Sequence, residues 1–238
     1  MEKLTLTYQG TTYPYFLKTK GIKNVRLTVD KDKNIRVSAP SYIPIRKIED
    51  FIIDNMGFIE KNIEKRNEIE RLHNLKEYTT GEHFMLFGDR ITIASKEFSQ
   101  NRVVLEDKTL YILLTENTEE NRKAYFEKFL KDTGKRVFGE VLDRYYPAFS
   151  QRIKFKPHIT VRQMSTKWGS ANPAKNKITM NTALLFAPMD LIAYVMAHEL
   201  CHYYHLDHSK AFYKKLAEVV PDYKEKRKRL KNTYGFMI

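Results

Sequence analysis

The longest apolar stretch of the chain, Leu184 to Leu200, is interrupted by Pro188, Asp190, His198 and Glu199. Those groups exclude a membrane span. They predict instead a helix that opens after Pro188 and runs from Met189 to about Tyr204. Leu191, Ile192, Val195, Met196 and Leu200 recur at helical spacing, so this helix is packed in a core. His198 and His202 are four residues apart, one turn from each other on the same face. Glu199 stands about 100° round the helix from His198. Three unpartnered polar groups on a buried helix are unfavourable, and two imidazoles aimed at one Zn2+ remove the conflict. The His-Glu-x-x-His pattern then predicts roles. Zinc lowers the pKa of water, and Glu199, placed to reach that water rather than the metal, takes its proton as it attacks a carbonyl.

A catalytic zinc needs a third protein ligand and one open position. Three residues beyond the motif are candidates: His208, His205 and Glu218. His208 is favoured if the helix ends near Tyr204 and the chain doubles back, with Ser209 capping the next helix. His205 suits a contact behind the ligands or to substrate, and Glu218 lies on the following helix. His205, Tyr203 and Tyr204 are the candidate donors to an oxyanion. Cys201, inside the motif, reads as a small core residue rather than a ligand or nucleophile. Trp168, the sole tryptophan, reads as an anchor beneath the zinc helix.

The remainder alternates strand blocks with helix blocks, which predicts an α+β fold. Residues 4–39 are β-rich, with two strands around Asp32-Lys33-Asn34. From Ile45 to about Tyr78, Ile48, Phe51, Ile52, Phe58, Ile59, Ile63, Ile69 and Leu72 follow helical steps, with Gly57 as a break. Residues 81–114 return to strand, including a hairpin around Gly88-Asp89. Residues 118–146 form a long amphipathic helix that Pro147 stops. Strands flank the turn-rich segment 165–176, within which Ser165–Asn172 is expected to present backbone donors or a short edge strand to the cleft, where an extended substrate could pair. No internal repeat is visible. These blocks predict a β-rich N-terminal lobe with a helical insertion over 1–117 and a catalytic lobe over 118–238.

The 42 Lys and Arg against 29 Asp and Glu give a net charge of +13. Residues 151–189 carry seven basic side chains and no acidic one, and Lys224 to Lys231 adds a further basic run. This surface suits an acidic partner such as nucleic acid. A single cysteine and an N-terminus without an apolar leader core predict a cytoplasmic protein without disulfides.

Three segments carry a family resemblance: Lys167-Trp168-Gly169-Ser170, the stretch Val195 to His208 with Ser209 and Phe212, and Pro221-Asp222-Tyr223-Lys224-Glu225. With Val37-Ser38-Ala39-Pro40, they make the chain, from about residue 20 to 231, resemble the YgjP-like metallopeptidase family. The SprT-like and WLM proteases are neighbours with a related zincin helix. The resemblance implies His198, His202 and His208 as ligands of Zn2+, Glu199 as the base, and a β-rich lobe followed by a minimal zincin-like lobe. Where the family often has a cysteine after Trp-Gly-Ser, this chain has Ala171, so no thiol acts there. The leading expectation is a zinc-dependent metallopeptidase cleaving a protein or peptide. The alternatives are a protease or binding module acting on nucleic-acid-associated proteins, or a module whose zinc is structural.

Overall fold

A computed structural model describes residues 2–30, 33–72 and 77–235. Of the sequence expectations, Asp32 and the side chains of Ile69 and Leu72 lie outside the described residues. The chain divides into two compact units, Met1–Arg71 and Leu72–Ile238.

In the first unit, β1 (Glu2–Tyr8) and β2 (Thr11–Lys20) are joined through Gln9 and Gly10, both at positive φ (48° and 77°). That conformation matches the twist of a two-residue hairpin. β3 (Arg26–Val29) and β4 (Ile35–Pro40) form a second antiparallel pair. β4 lies parallel to β2, with Tyr15 opposite Ile35 and Lys20 opposite Pro40, giving the order β1-β2-β4-β3. α1 (Ile45–Asp54) and α2 (Met56–Leu72) follow. Ile48, Ile52 and Ile59 bury the predicted stripe against Tyr15, Leu17 and Val37. The helix break falls at Asn55 rather than Gly57. The Asn55 side-chain amide donates to the Phe51 carbonyl (2.8 Å) and its backbone N–H to Ile52 (3.0 Å), closing α1 two residues early.

In the second unit, β5 (His83–Leu86) and β6 (Asp89–Glu97) turn through Phe87 and Gly88, at φ 55° and 88°. This is one residue ahead of the predicted Gly88-Asp89 turn. β7 (Arg102–Glu106) and β8 (Thr109–Leu114) complete a sheet of order β5-β6-β8-β7, with β6 parallel to β8. α3 (Glu119–Tyr145) begins at Thr118, whose hydroxyl accepts from the Asn121 amide (3.3 Å). Phe84, Ile93, Leu110 and Ile112 share one core with Phe126, Leu130 and Phe138 of α3, and the Phe84 and Phe126 rings meet edge-on at 4.9 Å. This shared core is why the chain divides at Arg71 and Leu72 rather than at the predicted 117/118: β5–β8 need α3 to cover their apolar face.

The two units repeat one topology. In each, two hairpins pair through a parallel ladder of six residue pairs, and four residues separate the last strand from the following helix. The repeat is structural and was not visible in the sequence, because sheet pairing depends on alternation and turns rather than on particular residues.

A third sheet positions the site. β9 (His158–Arg162), β10 (Gly169–Asn172) and β11 (Lys177–Asn181) run in the order β10-β11-β9. α4 (Met189–Cys201), α5 (Lys210–Val219) and α6 (Tyr223–Arg229) follow. Leu191, Ile192, Val195, Met196, Leu200 and Cys201 are buried, as the periodicity predicts. The hairpin tip at Gly88 abuts Pro188 at the start of α4. A Cβ there would lie 2.8 Å from the proline ring, and the Phe87 amide donates to the Leu185 carbonyl (2.7 Å). No helix among the described residues is long and apolar enough to cross a membrane.

Candidate metal centre

α4 stops at Cys201, and His202 caps it with its N–H shared between the carbonyls of Glu199 and Leu200. The chain then turns through 203–207, and Ser209 caps α5 by accepting from the Phe212 amide (3.4 Å). This early stop brings His208 back to the face that carries His198 and His202. One ring nitrogen from each of the three lies within 4.8 Å of the others. Nε2 of His208 is 3.1 Å from Nε2 of His198. Two imidazole acceptors aimed at one point repel unless a proton or a cation lies between them. Tetrahedral zinc with nitrogen at about 2.0–2.1 Å puts its ligands about 3.4 Å apart, so the donor set and its spacing fit a metal.

The ring chemistry points the same way. His202 Nδ1 lies 3.2 Å from the His205 carbonyl. Donation there fixes the tautomer and leaves Nε2 as the lone-pair donor. Burial pushes the His198 pKa down to about 3, helped by His202, His208 and Arg227. Burial likewise lowers His202, opposed by the His205 carbonyl. Both rings are therefore neutral at neutral pH, the form in which an imidazole can ligate. Nδ1 of His198 is buried without a hydrogen-bond partner among the described residues.

Glu199 is 5% exposed and lies under β10. The Asn181 amide donates to the Trp168 carbonyl (2.9 Å). By antiparallel alternation, the main-chain groups of Gly169 and Ala171 then face away from β11 and toward α4. The Ala171 amide donates to the Glu199 carboxylate. Gly169 crosses directly over it, and a Cβ would sit 2.8 Å from Cγ and Oε1 of Glu199. Burial raises the Glu199 pKa to about 7, against the lowering effect of the Ala171 amide and Lys167.

Asn181, fully buried, holds the loop before β10. Its Nδ2 donates to the carbonyls of Met164 (2.7 Å) and Lys167 (2.8 Å), and its Oδ1 accepts from the amides of Met164 (3.3 Å) and Ala183 (3.1 Å). His198, Glu199, His202 and His208 open on one cavity of about 510 Å3, walled also by Trp168, Tyr194 and Leu206. Sequence reasoning passed over Asn181 and Tyr194, and met Gly169 only within the family-like segment. An asparagine in a strand and a glycine opening one are the signals that point to Asn181 and Gly169. Tyr194, one turn before His198, has its ring 6.1 Å from that imidazole, and burial raises its hydroxyl to about 12.

Other candidates fall away from the cavity. Glu218 pairs with Lys215 (3.1 Å) instead of joining the histidines. The side chains of His205, Tyr203 and Tyr204 do not line the cavity. The Tyr204 hydroxyl donates to Phe149 (3.2 Å), and that of Tyr203 is buried without a hydrogen-bond partner among the described residues. His205 contributes its carbonyl rather than its ring. Trp168 is half-buried, packed on the core on one side and walling the cavity on the other.

The sequence matches the YgjP-like family, described as "YgjP-like, metallopeptidase domain", over residues 23–233. The chain belongs to the YgjP-like metallopeptidase family. The match spans both compact units, so the first unit is part of what defines a YgjP-like chain. Membership supports a metallopeptidase function and implies a metal. Among solved structures, the crystal structure of the metallopeptidase zymogen abylysin from Pyrococcus abyssi is similar at 19% identity and a TM-score of 0.36. It covers 40% of this YgjP-like chain and 91% of its own. No curated protein matches the sequence significantly.

Proposed function

We propose that this protein is a zinc-dependent peptidase in which His198, His202 and His208 hold Zn2+ and Glu199 is the general base. The convergence of three imidazoles and one buried carboxylate on a single cavity wall supports this reading. Neutral imidazoles suit zinc. A bound Zn2+ supplies Lewis acidity, lowering the pKa of water to about 7 and polarising a carbonyl.

The chain's own residues do the rest. The Glu199 carboxylate accepts a proton from the attacking water and passes it to the leaving amine nitrogen. Its raised pKa, near 7, suits it to both transfers. The Ala171 amide holds that carboxylate in place. The phenol of Tyr194 stays protonated and donates to the oxyanion that develops on the scissile carbonyl. β10 is an edge strand, and the outward main-chain groups of Gly169 beside the cavity receive an extended peptide.

The test is metal analysis together with hydrolysis of a fluorogenic peptide library. Glu199→Gln is expected to retain one zinc and to lose about 10²–10⁴-fold in rate. A variant with zinc and undiminished hydrolysis overturns the assignment. Tyr194→Phe is expected to lower kcat by about tenfold or more at unchanged metal content and little-changed KM.

A further inference from the structure

The basic residues that give the second unit its charge are not equally available. In α6 and the turn after it, Lys226 pairs with Asp222 and Asp190, Arg229 with Asp190 (2.7 Å), and Arg227 donates to the Tyr213 hydroxyl (3.1 Å). Half of that run is committed inside the protein. The segment Lys154-Phe155-Lys156-Pro157-His158 differs. Asn176, in the left-handed conformation at φ 45°, donates through its side-chain amide to the carbonyls of Phe155 (3.1 Å) and Lys156 (3.3 Å). The His158 amide donates to the Asn176 carbonyl (2.9 Å). These bonds fasten 154–158 to the turn Lys175-Asn176-Lys177. Lys154, Lys156, Lys175, Lys177 and His158 thereby share one tip of the third sheet. Phe155 stands among them, 78% exposed. Lys154, Lys175 and Lys177 make no ion pair among the described residues, and Lys156 meets the exposed Asp143 carboxylate (2.6 Å). An exposed aromatic ring beside three unpaired lysines and one paired only with an exposed carboxylate, on a hydrogen-bonded frame, has the two components that bind a single strand: a stacking face and phosphate partners.

We propose that this tip is a contact site for single-stranded nucleic acid, with a base stacked on Phe155 and backbone phosphates on Lys154, Lys156, Lys175 and Lys177. The stacking ring favours a nucleic acid over an acidic polypeptide, which would need the charges alone. The site lies at the end of β10 opposite Gly169, about 10 Å along the strand from the carboxylate of Glu199. It does not depend on the metal.

The experiment is fluorescence anisotropy of a labelled oligo-dT of about 15 nucleotides with the full chain, from about 50 to 200 mM salt. The affinity is expected to fall with a log–log slope of about −2 to −3, for three or four phosphates at about −0.7 each. Phe155→Ala is expected to weaken binding about tenfold at unchanged slope. Replacing Lys154, Lys175 and Lys177 together by Ala flattens the slope by about 2. Replacing Lys224, Lys228 and Lys231 by Ala leaves binding within about twofold, and Glu199→Gln leaves it unchanged, which separates this site from the peptidase reading. Three results overturn the proposal: no binding at the lowest salt; a loss in the Lys224, Lys228 and Lys231 variant equal to that in the tip variant; or no effect of Phe155→Ala with polyglutamate competing as well as oligo-dT, which would assign the tip to acidic polypeptides.

Discussion

Glu199 meets two opposed demands. As the proposed base it must face the cavity, and as a core neighbour it loses hydration. In the metal-free protein its carboxyl titrates near 7, against about 4.5 for a free glutamate. Between those values the folded state binds more protons than the unfolded one, so its contribution to stability is lost as pH rises toward 7 and stays lost above it. Glu199→Gln removes the buried charge while keeping an acceptor for the Ala171 amide. Thermal melts of the metal-free variant are expected to show a gain on the order of 1–3 kcal/mol at pH 8 and little at pH 4.5. Gly169 is the matching constraint on the strand above. Gly169→Ala places a methyl group 2.8 Å from Cγ and Oε1 of Glu199. It is expected to lower stability by about 1–3 kcal/mol and to depress hydrolysis with zinc retained, read by metal analysis beside the rate. His198, Glu199 and His202 were legible in the sequence because helical spacing alone sets their faces. Gly169 and Ala171 were legible only as part of a family-like segment. What they do passes through the main chain and depends on which helix their strand crosses.

The loop between β9 and β10 and the turn after α4 each rest on a few main-chain bonds. Asn181 makes three bonds to the β9–β10 loop from one side chain, and a fourth to the Ala183 amide. Asn181→Ala leaves partly buried carbonyls of Met164 and Lys167 without donors, so it is expected to cost about 2 kcal/mol in denaturant unfolding. It also loosens the Trp168 wall of the cavity. After α4, the stop at Cys201 rather than Tyr204 is what delivers His208. The sequence offered the reversal through the capping Ser209, and also left His205 and Glu218 as rivals. In the structure His208 stands with His198 and His202, Glu218 pairs with Lys215, and the His205 carbonyl meets the His202 ring. The ends of α3 and α4 were readable to within a turn, whereas the helical stretch read as far as Tyr78 has its described helix end at Leu72. The β5–β6 hairpin was readable to within one residue, since Phe87 takes a positive φ that composition assigns to Gly and Asp, whereas the Gln9-Gly10 turn was not singled out in the alternating stretch around it.

Across the molecule, the chain is a repeated four-strand pattern with helices, followed by a third sheet and the helices around the histidine cluster. The sequence indicated an α+β fold and a β-rich beginning. It misplaced the division because the apolar face of β5–β8 carries no sign of which helix will cover it. All the proposed ligands lie in the second unit, so metal and stability are linked there. Chelation is expected to lower the melting temperature by about 5–10 °C when zinc has been present at a hundredfold its Kd. Acid acts in the same direction. His198 titrates near 3 in the folded state and near 6.5 when free. Below about pH 6.5 the unfolded chain takes up a proton that the folded site refuses, and stability falls progressively toward pH 3. Glu199 works the other way between pH 7 and 4.5, so melts of the metal-free Glu199→Gln protein at pH 7, 5 and 4 check this, and adding His198→Gln is expected to flatten the trend.

The fit of the Gly88 tip against Pro188, with the Phe87 amide bonded to Leu185, ties the β5–β6 hairpin to the first turn of the helix that bears the histidines. Amide hydrogens of that hairpin and of α4 therefore exchange with deuterium through a common opening. A ligand that slows exchange in one slows it in the other, so a probe on the hairpin, well away from the cavity, reports on what the histidines hold.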